Sequence, residues 1–106
     1  MKVKAVRQHL GEGQFPAFLQ GAKVALTGEG CSHFLGWFPC EIKGYNTYIP
    51  DTFFADGVLT RDYNPTELVV NVGDILEVRE IVYTWLLATD ENGIMGWIPA
   101  ETVVSI

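Results

Sequence analysis

Gly93-Ile94-Met95-Gly96-Trp97-Ile98-Pro99-Ala100-Glu101-Thr102 is the stretch whose reading decides the fold. A glycine, an aromatic, an aliphatic residue and a proline in that order suit a strand that ends in a sharp turn. Glycine lets a neighbouring backbone come close, and the proline ring fixes φ for the turn. Trp85 stands ahead of it by fourteen positions to Pro99. A second version occurs earlier, at Asn46-Thr47-Tyr48-Ile49-Pro50-Asp51-Thr52-Phe53, where Trp37 precedes Pro50 by thirteen positions. The near-equal spacing suggests two related units.

Working outward, the chain reads as short strands and turns. Val3, Ala5 and Arg7 alternate with Lys2, Lys4 and Val6, as in a short edge strand charged at its start. His9 to Gln20 carries Gly11, Gly13 and Pro16 and reads as a long loop anchored by Phe15 and Phe18. Strands are predicted from Ala22 to Thr27, Trp37 to Ile42 and Thr47 to Ile49, Pro39 restricting the second to an edge or a bulge. Pro50 to Phe53 suits one turn of 3₁₀ helix. Ala55-Asp56-Gly57 reads as a short hinge. Beyond it come strands at Val58 to Asp62, Ile75 to Val82, Trp85 to Thr89 and Ile94 to Ile98. Asn92-Gly93 is the hairpin signal between the last two. No segment shows helical periodicity over three turns, so the fold class is all-β, as small barrels or a sandwich.

Composition limits the function. The chain has 106 residues, 48% hydrophobic and 19% charged, within the range of globular proteins and outside the disordered class. Two halves of this size are marginal alone and would lean on each other. The net charge of −6 argues against a nucleic-acid binder, which needs a basic surface. After Gly57 there are two basic residues against eight acidic ones, so the acidity gathers in the second half. It serves either as a solvated surface or as a field that steers basic partners. No apolar run reaches the ~20 residues that span a bilayer, and Met1 to Gln8 lacks a signal-peptide core, so a cytoplasmic location is expected.

The two cysteines, Cys31 and Cys40, read as free thiols rather than a secreted-type framework. Cys31, His33, Cys40 and His9 form a metal set only on paper, because the paired Cys-x-x-Cys knuckle is missing. No cofactor or metal is expected. Cys40 beside Pro39 reads as a small buried apolar residue. No third orienting group or oxyanion loop accompanies a Cys–His pair, so no catalytic residue is assigned and the protein reads as a non-enzyme.

The second half resembles a Src homology 3 (SH3) domain. The family pattern of ALYDY, E-L, K-G-D, a Trp pair, G-x-x-P and a closing Y-V step is matched in order. Here it reads Leu59-Thr60-Arg61-Asp62-Tyr63, Glu67-Leu68, Val72-Gly73-Asp74, Trp85-Leu86, Gly96-Trp97-Ile98-Pro99 and Thr102-Val103. The first half is similar but divergent: Gly21 matches Gly73, Trp37 matches Trp85, Pro50 matches Pro99 and Phe53 matches Thr102. The resemblance implies two small SH3-like barrels in tandem, residues 1–56 and 57–106, packed against each other.

In that family, aromatic ridges hold proline-rich peptides in the polyproline II conformation. Of that ridge Tyr63, Trp85 and Pro99 are kept in the second unit, where Glu67 is the acid that would receive a ligand's Arg or Lys and Trp97 is a further candidate aromatic; the first unit offers Trp37, Pro50 and Phe53 at matching positions. Arg61 replaces one ridge tyrosine and Thr102 another. Two functions stay open. One is a non-catalytic module that binds a protein or peptide ligand, proline-rich or basic, on the aromatic surface. The other is a structural or assembly protein whose aromatics are buried between the two barrels or in an oligomer, with self-association allowed.

Overall fold

The computed structural model describes residues 1–11, 13–30 and 34–106. It is all-β. Among the described residues ten strands run in the order β1 (Lys2–Ala5), β2 (Ala25–Leu26), β3 (Trp37–Ile42), β4 (Tyr45–Pro50), β5 (Phe54–Ala55), β6 (Val58–Leu59), β7 (Ile75–Val82), β8 (Trp85–Thr89), β9 (Met95–Pro99) and β10 (Val103–Ser105). Single 3₁₀ turns, η1 (Asp51–Phe53) and η2 (Ala100–Thr102), follow Pro50 and Pro99. Among the described residues no helix is long and apolar enough to cross a membrane.

The chain divides into two compact units, 1–14 with 66–106, and 15–65. This differs from the expected 1–56 and 57–106. The reason lies at Asp56-Gly57, read from sequence as a hinge. Asp56 (φ 53°) and Gly57 (φ 77°) form a two-residue turn that joins β5 to β6, with Ala55 opposite Val58. Positive φ at both central residues is the type I′ pattern, for which Asp-Gly is a preferred pair. A tight hairpin occupies the place of the expected hinge.

In the unit made of 1–14 and 66–106, five strands lie in the order β10-β1-β7-β8-β9. β1 lies inside the sheet, pairing Val3 with Ser105 on one side and with Leu76 on the other. Its alternation places Val3 and Ala5 in a core with Leu68, Val70, Leu76, Leu86, Ala88 and Ile98. The expected charged edge strand is therefore an interior strand whose lysines face outward. The period of two fits both settings, because alternation reports faces and not neighbours.

In the unit 15–65, β2-β3-β4 form one sheet and β5-β6 another, and a bridge from Lys23 to Val58 links their strand lines. Pro39 sits in the middle strand, not at an edge as expected. Its carbonyl still accepts the Thr27 amide, while β2 ends at Leu26. Having no N–H, Pro39 cannot return the second bond of that pair, so the ladder stops there. None of the sheets closes into a barrel: β9 and β10 are the two ends of the larger sheet. Pro99 and Pro50 end β9 and β4 and bring in the 3₁₀ turns that follow.

The acidity also divides differently. With Lys2, Lys4 and Arg7 joined to 66–106, that unit holds four basic against eight acidic residues, and 15–65 holds three against five. The excess is shared by both units.

Candidate functional site

The two hairpins named from sequence are built alike. In β3–β4, Trp37 lies opposite Pro50; in β8–β9, Trp85 lies opposite Pro99. Each proline then starts a 3₁₀ turn whose last residue, Phe53 or Thr102, is buried. Gly96 has a specific task in the second hairpin. A Cβ built there would lie 2.6 Å from the Leu68 amide nitrogen, so only glycine lets the segment 66–68 cross. That crossing is fixed by the Leu68 N–H donating to the Trp97 carbonyl (3.0 Å) and the Trp97 N–H donating to the Thr66 carbonyl (3.1 Å).

The structure regroups the candidate residues. Tyr63, expected beside Trp85 and Pro99, belongs to the unit of Trp37, Pro50 and Phe53. Its ring meets Phe53 edge-on at 5.4 Å, and its hydroxyl donates to the Tyr48 carbonyl at 2.6 Å. Arg61 holds its guanidinium 4.1 Å over the Phe53 ring, a cation–π contact. Phe18 and Phe15 approach Tyr45 edge-on at 5.8 and 6.1 Å.

Glu67, Trp85, Trp97 and Pro99 lie in the other unit. Here the place opposite the tryptophan is taken by His9, its ring 6.0 Å from Trp85 and nearly perpendicular. His9 Nε2 lies 2.8 Å from Glu67 Oε1, both side chains mostly buried. Glu67, expected to receive a ligand cation, thus already has a partner within its own unit. It also bridges Trp97 in a short parallel pairing. Sequence reasoning passed over His9 as a site residue. A signal was present: His9 stands four positions after Ala5, as Tyr63 does after Leu59.

Exposure decides what these groups can do. Trp37 is 5% exposed, Phe53 3%, Tyr63 4%, Trp85 9% and Trp97 3%, and Pro50 is fully buried. Pro99 is half-buried, and Glu67 keeps only a small part of its surface open. A stacking ridge needs open ring faces, and these are covered. The large aromatics left open are Tyr45 and Tyr48 on β4 and Tyr83 on the β7–β8 turn.

Cys40 is buried in β3 and free, and burial pushes its thiol up to about 11. A thiol held neutral in this way is a poor nucleophile and ligand at neutral pH. Cys31 and His33, the other members of the metal set considered from sequence, lie outside the described residues. Among the described residues no group of three or more His, Cys, Asp or Glu side chains converges. Comparison with protein-family models, with curated proteins and with solved structures found no match to this chain.

Proposed function

We propose that the chain is a non-catalytic structural and assembly protein built from two SH3-like units, with the aromatics of the family's ligand ridge serving as internal packing. One observation carries this reading: Trp37, Phe53, Tyr63, Trp85 and Trp97 are each no more than 9% exposed. Each large aromatic contributes 150–250 Å² of burial, roughly, and such rings dominate the stability of small cores. In units of this size they are difficult to spare for a ligand. The neutral, buried Cys40 and the acidic balance fit a protein that neither performs nucleophilic chemistry nor binds nucleic acid. A cytoplasmic location belongs to the same proposal.

Replacing Trp37 or Trp85 with Ala tests the reading. Loss of a buried aromatic costs about 3–5 kcal/mol, so both variants should melt far below the parent. A near-unchanged melting temperature for either would show that its ring does not hold the fold.

A second reading, a protein- or peptide-interaction module, is favoured by Tyr45 and Tyr48, 45% and 42% exposed on β4. Its surface would be β4 with the Arg61–Phe53 stack rather than the buried ridge. Acidic side chains would select basic neighbours in the ligand.

A further inference from the structure

The two units place their strands in the same spatial order but draw one strand from opposite directions along the chain. In the larger sheet, β1 lies between β10 and β7. In the unit 15–65, β6 lies between β5 and the segment that leads into β2. The backbone hydrogen bonds agree pair by pair. Ala5 N–H donates to the Asp74 carbonyl, and the Ala5 carbonyl accepts from Gly73 N–H; Leu59 N–H donates to the Ala22 carbonyl, and the Leu59 carbonyl accepts from Gly21 N–H. Val6 N–H donates to the Thr102 carbonyl, and Thr60 N–H donates to the Phe53 carbonyl. His9 and Val70 exchange both bonds, as do Tyr63 and Phe18.

Residues 1–9 and 57–63 are thus equivalent arms in equivalent slots. Each arm fills the slot of the body that is not its direct continuation. Residues 1–9 skip 15–56 to enter 66–106, and residues 57–63 turn back into 15–56 through the Asp56-Gly57 hairpin. The slot for residues 1–9 therefore holds a strand joined to it only through the whole of the other unit. What retains the arm is local: hydrogen bonds along both edges, and burial of Val3 and Ala5.

We propose that the slot between β7 and β10 accepts residues 1–9 of a second copy of this chain, giving a reciprocally exchanged dimer. This rests on the assembly reading above and names its partner. Every contact the arm makes with its slot is remade unchanged in the dimer; only the tether differs. The tether gives the chain's own arm an effective concentration on the order of 1 mM. The monomer therefore prevails in dilute solution, and exchange becomes competitive when chains fold together near that concentration.

The test uses a disulfide across the slot. Lys4 lies directly opposite Val104, both exposed. Facing residues of an antiparallel pair are about 4.5–5.5 Å apart at Cα, within the disulfide range. A full-length chain carrying Lys4→Cys and Val104→Cys, with Cys31→Ser and Cys40→Ala, is unfolded, refolded from micromolar to about 1 mM, and oxidised. Non-reducing electrophoresis and light scattering are then read together. The expected result is covalent dimer rising from roughly 0.1% to about half of the chains over that range. Disulfide-closed chains that light scattering also finds monomeric at every concentration overturn both the exchange and self-assembly. A dimer by light scattering without interchain disulfide overturns the exchange alone and leaves the assembly reading standing. If the substituted chain does not refold, light scattering of the unsubstituted chain over the same series applies. A refolded population that stays monomeric at about 1 mM overturns the proposal.

Discussion

Replacing Gly96 with Ala tests the crossing on which the second hairpin depends. The added Cβ would lie 2.6 Å from the Leu68 nitrogen and 2.9 Å from both Leu68 Cα and Cβ. The first two neighbours are backbone and cannot swing aside like the end of a flexible side chain. The segment 66–68 must move, which is an overpacking cost of about 1–3 kcal/mol. The two hydrogen bonds between this segment and Trp97 weaken with it, at about 0.5–1.5 kcal/mol each. Against this, Ala restricts the unfolded chain and returns about 0.4–1 kcal/mol. The net loss centres near about 3 kcal/mol. At roughly 4–8 °C per kcal/mol for units of this size, the melting temperature should fall by about 12–24 °C. Gly93→Ala is the control, since its Cβ meets nothing within 4 Å but its φ is +82°. Only the left-handed backbone penalty applies there, about 1–2 kcal/mol. Thermal unfolding followed by circular dichroism reads both. A Gly96→Ala protein as stable as the parent, or more stable than Gly93→Ala, would refute the crossing.

Three further predictions follow from the geometry. Cys40 is held neutral up to about 11 while its ordinary value is 9.0. Between these values the unfolded chain ionises and the folded one does not, so the unfolded state binds fewer protons and stability falls as pH rises through that window. The loss is on the order of 2–3 kcal/mol relative to Cys40→Ala measured in parallel by denaturant titration, and identical pH slopes in the two proteins would disprove it. His9→Ala and Glu67→Ala should be non-additive by about 1 kcal/mol in a double-mutant cycle; simple additivity would show that the 2.8 Å contact contributes nothing. Tyr63→Phe removes the hydroxyl that bonds the Tyr48 carbonyl and should cost about 0.5–1.5 kcal/mol, read by chemical denaturation, with no cost expected if the bond is absent in solution.

The local structure was legible in the sequence and the partnership of strands was not. β3 was placed at its observed ends, η1 was placed within a residue, and the Trp–Pro spacings located two hairpins of the same construction. These features depend on residues close in sequence. Asp56-Gly57 carries a hairpin signal that the hinge reading passes over. The larger difference concerns Tyr63. Because Leu59-Thr60-Arg61-Asp62-Tyr63 runs directly into Glu67-Leu68 and Gly73-Asp74, continuity assigns it to Trp85 and Pro99. The two slots have equivalent hydrogen-bond frames, so an alternating arm fits either one, and local pattern cannot choose between them. That choice moved Tyr63 to Phe53 and put His9 beside Trp85. Burial of the tryptophans stays one of two readings in the sequence, since the Trp–Pro spacing fixes their position in the hairpin but not what covers their faces.

The claim that the ridge aromatics are internal packing is tested most directly by the indole N–H signals of Trp37, Trp85 and Trp97. Heteronuclear NMR spectra are recorded while a pool of proline- and arginine-rich peptides is added to the full-length protein. The account predicts that all three indole signals stay in place while peptide is raised to millimolar concentration. A saturable shift of any one of them would contradict it and return the aromatic ridge to ligand binding.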